Sequence, residues 1–225
     1  MTVGEGEASA GDELSAARRV WLWTEYALLF YGAPLMLMGM PRQVFFPALF
    51  LAAGGCLLSL WRDKAFDRTR LWNAAGARGE LPRVLLQFAI AAAVLCGLVL
   101  WLLPEAWLGF VRSRPGLWAL VMVLYPVLSV LPQNLVWRVF LHHRYEPVLP
   151  RAWMRVAASA AAFGFVHILL ENWLAVALTL AGGVMFGVTY ERSRSLLAVS
   201  VEHGLYGCLA FTVGIGRYLV LGGVR

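Results

Sequence analysis

"SVLPQNLVWRVFLHHRY" occupies residues 129–145, and it continues "LWALVMVLYPVL" (117–128) without a break. Gln133, Asn134 and Arg138 therefore fall inside an otherwise apolar run that is long enough to cross a bilayer. Each of these side chains needs a partner where water is scarce, and an ionisable residue at such a position faces a bundle interior or a water-filled cavity. The fold must supply that interior.

The composition agrees with a membrane setting. Of 225 residues 60 % are hydrophobic and only 14 % charged, with a mean hydropathy of +0.69, which excludes an ordinary soluble domain. Apolar stretches at about 21–39, 43–61, 84–103, 117–141, 154–171, 173–190 and 196–214 predict an all-α, polytopic transmembrane helical bundle of seven spans. "YLVLGG" (218–223) is a candidate for an eighth, short or re-entrant, piece. No repeat and no long linker divides the chain, so residues 21–225 read as one integral membrane domain after a polar tail, 1–20. That tail carries acids ahead of Arg18 and Arg19, unlike the basic start of a signal peptide, and is expected to be mobile or to lie on the surface.

The net charge of +6 resides in short loops and does not call for nucleic acid. With seven spans, the tail and the loops around 62–83, 142–155 and 191–195 share one side and hold 13 of the 19 Lys and Arg. The positive-inside rule then places the N-terminus in the cytoplasm of a cell bounded by this inner, plasma membrane. Trp21, Trp61, Trp118, Trp153 and Trp173 mark span ends as an interfacial belt does. Cys56, Cys96 and Cys208 stand singly in apolar runs and read as small buried hydrophobes. Gly183 and Gly187, four apart on one helix face, predict close packing of the fifth and sixth spans.

Two further anomalies lie in spans: His167 in "AAFGFVHILLENW" and His203 in "SLLAVSVEHGLYGCLAF". Taken singly, each is most simply a hydrogen-bonding group between helices. Counted from the basic end at about 1.5 Å per residue, Asn134 lies roughly 12 Å, His203 roughly 13 Å and His167 roughly 18 Å deep. All three are expected to meet near mid-membrane. Arg138 is one turn beyond Asn134 on the same face, and Pro126 and Pro132 kink the helix that carries them. Candidate partners for Arg138 are Glu202 and Glu171, an aromatic face or a backbone carbonyl. His167 and His203 suit zinc, with Glu171 better placed in angle than Glu202 to join them. His142 and His143, beside Arg144, read as solvated interfacial groups.

In order and spacing these stretches resemble the CPBP superfamily, the CAAX protease and bacteriocin-processing group of glutamate-dependent intramembrane metalloproteases, also called the Abi family. Its first motif, a glutamate pair with an Arg four residues after the second, aligns with Gln133, Asn134 and Arg138. The second, Phe followed four residues later by His, aligns with Phe163 and His167; the third aligns with His203 and has Gly207 at its polar position. The resemblance covers about 117–214 and implies a membrane-embedded endopeptidase acting on membrane-associated peptides, prenylated CAAX-type substrates among them. It implies that a first-motif acid activates water while the histidines bind metal or stabilise the oxyanion.

Gln133 and Asn134 have amides in place of the acids, and an amide has no proton-transfer cycle near neutral pH. Two readings follow. In one, the protein remains a peptidase that recruits Glu171 or Glu202 as base. In the other, it is a non-catalytic relative that holds a membrane peptide or partner in the same cavity.

Overall fold

The computed structural model describes residues 14–219. Its first helix, α1, runs through 16–37, with a wider π turn at Leu28–Gly32. Then come α2 (Arg42–Arg62), α3 (Ala74–Leu102), α4 (Pro115–Arg144), α5 (Ala152–Leu170), α6 (Trp173–Ser193) and α7 (Leu196–Val213). Among the described residues these last six are long and apolar enough to cross a membrane. The expected span at 21–39 falls on α1, a helix whose Thr24, Glu25, Tyr26 and Tyr31 make it less apolar than the six. Residues 1–13 of the expected tail lie outside the described residues, and helix begins at Ala16. Of the suggested eighth piece, Tyr218 and Leu219 close a 3₁₀ turn, Ile215–Leu219, and 220–223 lie outside the described residues.

Local chemistry sets the helix ends. The Asn73 side chain accepts from Gly76 N (3.0 Å) to cap α3, and its amide donates across the bundle to Ser193 O (3.0 Å). Asn172 and Ser195 cap α6 and α7 by accepting from Leu174 N and Ala198 N, and Pro115 opens α4 where no amide hydrogen is needed. The turns after α5 and α6 close on left-handed residues, Glu171 (φ 54°) and Arg194 (φ 47°).

α5 and α6 make the most extensive helix contact, and their small residues allow it. A Cβ added to Gly183 would stand 2.9 Å from Ala160 Cα, and one at Gly187 3.2 Å from Val156 Cγ1. α7 packs on α3 and α6 and is the most enclosed helix, whereas α2 and α3 turn most of their apolar side chains outward, as Leu51, Leu86 and Trp101 show. Such faces suit lipid.

α3 starts ten residues before the stretch expected at 84–103 because its first turns are not stranded in hydrocarbon. Arg83 donates to Glu80 (2.6 Å), Gln87 (2.7 Å) and Thr189 (2.6 Å), and Arg192 donates to Glu80 (2.8 Å). α4 is the irregular helix. Pro126 opens a π turn over Pro126–Val130, Pro132 follows, and a second π turn spans Leu135–Phe140. Proline lacks an amide hydrogen and π turns widen the helix, so the backbone is re-aimed on both sides of Asn134.

Candidate functional site

Asn134 is buried on α4, and the partners of its amide fix its orientation. Nδ2 donates to Val199 O (3.4 Å) and Ser200 Oγ (3.2 Å), which leaves Oδ1 facing His203 Nδ1 at 3.4 Å. A carbonyl oxygen only accepts, so Nδ1 carries the proton and Nε2 is the accepting nitrogen. Tyr125 Oη lies 3.4 Å from that Nε2 and is the donor to it. The His203 ring also stacks on Phe186, with centroids 4.6 Å apart and planes 20° apart, and Phe163 meets it edge-on. Both nitrogens and one face of His203 are thereby engaged.

His167 is placed differently. It ends the regular part of α5, where its Nδ1 donates to Phe163 O at 2.6 Å, so Nε2 keeps its lone pair. The ring packs edge-on against Phe163 at 4.7 Å, and the residue lines a cavity of about 1240 Å³. Phe163 thus touches both histidines. The cavity lies between α1, α2 and α4 and is walled mainly by apolar side chains, including Leu29, Phe30, Phe46, Leu49, Leu124 and Trp137. Its polar wall includes Ser59, Tyr125, Ser129, Gln133 and His167, and Glu25 and Arg144 stand at the α4 C-terminal end. Gln133 donates to Ser129 Oγ (2.7 Å), while its buried Oε1 has no hydrogen-bond partner.

Arg138 is wholly buried. Its Nη1 donates to Ser159 Oγ (2.6 Å) and Trp137 O (3.3 Å), and Ser159 Oγ in turn donates to Trp137 O (2.6 Å). The guanidinium carbon lies 4.7 Å from the Phe163 centroid and 5.8 Å from that of Phe186, so two aromatic faces replace much of its lost hydration. Nε and Nη2 have no hydrogen-bond partner.

Gln133, Asn134, Arg138, His167 and His203 are thus gathered around Phe163 and the cavity wall. Glu171 is not brought to them: its left-handed backbone turns it outward, more than half exposed, with Arg42 Nη2 at 3.6 Å. Glu202 is fully buried but leaves α7 toward α3 and α6, where Thr189 and Arg83 stand, as its angular offset from His203 requires. His142 corrects the interfacial expectation. It is fully buried, with Nδ1 2.8 Å from Glu191 Oε1, because Arg155 and Arg194 hold that carboxylate inside the bundle end. His143 keeps the expected placement and meets Asp63 at 2.8 Å.

Sequence reasoning missed Tyr125, Ser159, Ser200 and Phe186. One signal was present in Gly207. A Cβ there would overlap the Tyr125 hydroxyl, so the bare position one turn after His203 is what admits a tyrosine from α4.

The donor set does not fit zinc. Among the described residues no group of three or more His, Cys, Asp or Glu converges, and the two imidazoles come with an amide rather than a carboxylate. Four-coordinate zinc needs three or four such protein ligands.

Residues 114–209 match the family described as type II CAAX prenyl endopeptidase Rce1-like, over less than half of the chain. The matched segment runs from the start of α4 into α7 and contains Asn134, Arg138, His167 and His203. No curated protein and no solved structure matches the chain.

Proposed function

We propose that this is a membrane-embedded, non-hydrolytic relative of the CAAX endopeptidases that holds an apolar or lipid-modified peptide segment in the cavity beside α4. The observation that carries this reading is the state of Asn134. Peptide hydrolysis needs a group that takes a proton from water and returns it to the leaving amine. Asn134 offers an amide whose oxygen already accepts from His203 and whose nitrogen is spent on Val199 and Ser200. Neither Glu171 nor Glu202 stands in its place.

The cavity has the character of a binding site: mostly apolar walls with a few convergent polar atoms. Gln133 Oε1 and His167 Nε2 are acceptors, matched to the N–H groups of an extended peptide, and the Tyr125 oxygen, its proton directed to His203, is a third acceptor. On the same reading the bundle end rich in Arg faces the cytoplasm of a plasma membrane, and a ligand enters sideways from the bilayer.

A second reading is favoured by His167, whose lone-paired Nε2 faces the same cavity. In it His167 is the base and Asn134 orients water, so peptide bonds are cleaved without a carboxylate.

The purified full chain in nanodiscs, given fluorogenic peptides with and without a lipid group, separates the two. Saturable binding without cleavage is expected, weakened by His167→Ala and Gln133→Ala. Turnover by the wild type that His167→Ala abolishes would overturn the non-hydrolytic reading and install the second.

A further inference from the structure

Helix α1 is anchored along its first half and not along its second. Leu22, Tyr26 and Phe30 are buried, and the Tyr26 hydroxyl donates to Ala158 O (3.0 Å). Glu25 accepts from Arg144 Nε and Nη2 (2.9 and 2.8 Å) and from the Tyr145 hydroxyl (3.0 Å). Beyond the π turn at Leu28–Gly32 this anchorage ends. From residue 33 to residue 52, which takes in the end of α1, the following turn and the start of α2, Pro34 alone is buried. Leu35, Met36, Met38, Phe46 and Leu51 are more than half exposed.

This lightly held hairpin is nevertheless a wall of the cavity. Pro34, Met36, Leu37, Met40, Phe46 and Leu49 line one side of it, and His167, Leu169 and Leu170 of α5 line another. The two sides are bridged at the end opposite the Arg-rich one, where Arg42 Nη2 lies 3.6 Å from Oε1 of Glu171, the residue after Leu170. The two side chains are 42 % and 56 % exposed, and an ion pair in that setting contributes little against hydration. A π turn with a proline two residues beyond it is a point where a helix bends. The hairpin therefore has a hinge at one end and a weak charge pair at the other, with cavity wall between them. Its methionines are unbranched and polarisable, so they fit apolar surfaces of more than one shape.

We propose that residues 33–52 form a lid over the cavity, hinged at Leu28–Gly32 and latched by the Arg42–Glu171 pair, and that apolar ligands from the bilayer pass beneath it. The ligand's passage rests on the binding reading above, whereas the lid does not. Glu171, which stands outside the histidine site, thereby acts on that site by controlling access to it.

Cys56 reports on the lid, because it lines the cavity whereas Cys96 and Cys208 do not. The test is the rate of Cys56 alkylation by N-ethylmaleimide in the full chain in nanodiscs, with Cys96→Ala and Cys208→Ala in place. Arg42→Glu or Glu171→Lys sets like charges against each other, and each is expected to raise that rate on the order of threefold, the scale of an exposed pair. Combining the two restores opposite charges and should return the rate to its starting value. An unchanged rate in both single variants overturns the latch, and an acceleration that the combination does not reverse overturns the pairing. Should a charge reversal fail to fold, Arg42→Gln and Glu171→Gln are expected to accelerate alkylation by less, and no acceleration in either overturns the proposal. The probe is N-ethylmaleimide, so the rate is read whether or not a peptide binds. Latch variants that gate Cys56 in a protein that binds no peptide would strike the binding reading and leave the lid standing.

Discussion

Two arginines on neighbouring helices show how unlike the two polar regions of this bundle are. At the Arg-rich end, Arg155 spends its whole guanidinium. It donates to Glu191 through Nε (2.6 Å) and Nη2 (3.1 Å), and to Leu149 O and Pro150 O through Nη1 (3.0 and 2.9 Å). Around Asn134, Arg138 uses one nitrogen of three, and the hydrogen bonds linking Asn134, His203 and Tyr125 are both 3.4 Å long. The first region ties α4, α5 and α6 together through Glu191. The second keeps acceptors and donors in reserve. A site that binds needs groups not consumed by the fold, and among the described residues Gln133 and His167 offer such groups on the cavity wall.

The sharpest break of this contrast is Arg155→Ala, which takes the bidentate partner from the enclosed Glu191 and leaves it only Arg194 and His142. Breaking a buried pair costs roughly 3–5 kcal/mol, so this variant is expected to be the least stable of the set in detergent unfolding while leaving the cavity untouched. Unfolding no easier than that of a surface variant would show that the end network is not what holds α4, α5 and α6.

Ser159→Ala reaches the other region and should cost less. It removes the hydroxyl that takes a bond from Arg138 and passes one to Trp137 O. A hydrogen bond to a charged group contributes about 1.5–3 kcal/mol, so destabilisation in that range is expected, with weaker ligand binding as Arg138 loses its anchor. Wild-type stability would mean that the aromatic faces of Phe163 and Phe186 hold Arg138 by themselves.

The bundle was legible because bilayer crossing writes itself into sequence as length and apolarity. The stretches expected at 43–61, 117–141, 154–171, 173–190 and 196–214 fall within a few residues of α2, α4, α5, α6 and α7. The start of α3 was not legible, since charges normally end a span and these are met inside the bundle, Glu80 by Arg83 and Arg192 and Arg83 also by the Thr189 hydroxyl. In the site, spacing was enough to align Asn134 with Arg138 on one face and to match the depth of His203. It failed for Glu171, where helical periodicity was extended past a residue that leaves the helix with positive φ. It failed for His142 because burial by Glu191 and Arg155 depends on two other helices. Ser159 sat in a stretch of small residues that reads equally well as packing surface.

The two histidines sharpen the comparison inside the site itself. His203 has both nitrogens engaged and stacks on Phe186, whereas His167 makes one bond, to its own helix, and opens on the cavity. His203→Ala should therefore cost about 1 kcal/mol more stability than His167→Ala. Ligand binding should show the reverse order. Equal effects in both assays would mean that the site does not divide into a supporting and a contacting imidazole.

The smallest effect belongs to the periphery of the Arg-rich end, at Asp63. Its carboxylate accepts from His143 Nε2 (2.8 Å) and from Ala65 N (2.9 Å), and the His143 bond is the main cause holding its pKa below the usual carboxylate value. A carboxyl with a depressed folded pKa stabilises the fold above its unfolded value, near 4, and loses that contribution as pH falls through the folded one. The side chain is 43 % exposed, so screening by water and salt discounts the pair to about 0.5 kcal/mol or less. Asp63→Asn should lower stability by that small amount at pH 7, and the difference from wild type should shrink below pH 4. It should shrink with added salt as well, whereas the loss caused by Arg155→Ala should respond little to salt because that pair is enclosed. An Asp63 effect as large and as salt-resistant as that of Arg155 would dissolve the boundary between the network that builds the bundle end and the charges that merely decorate it.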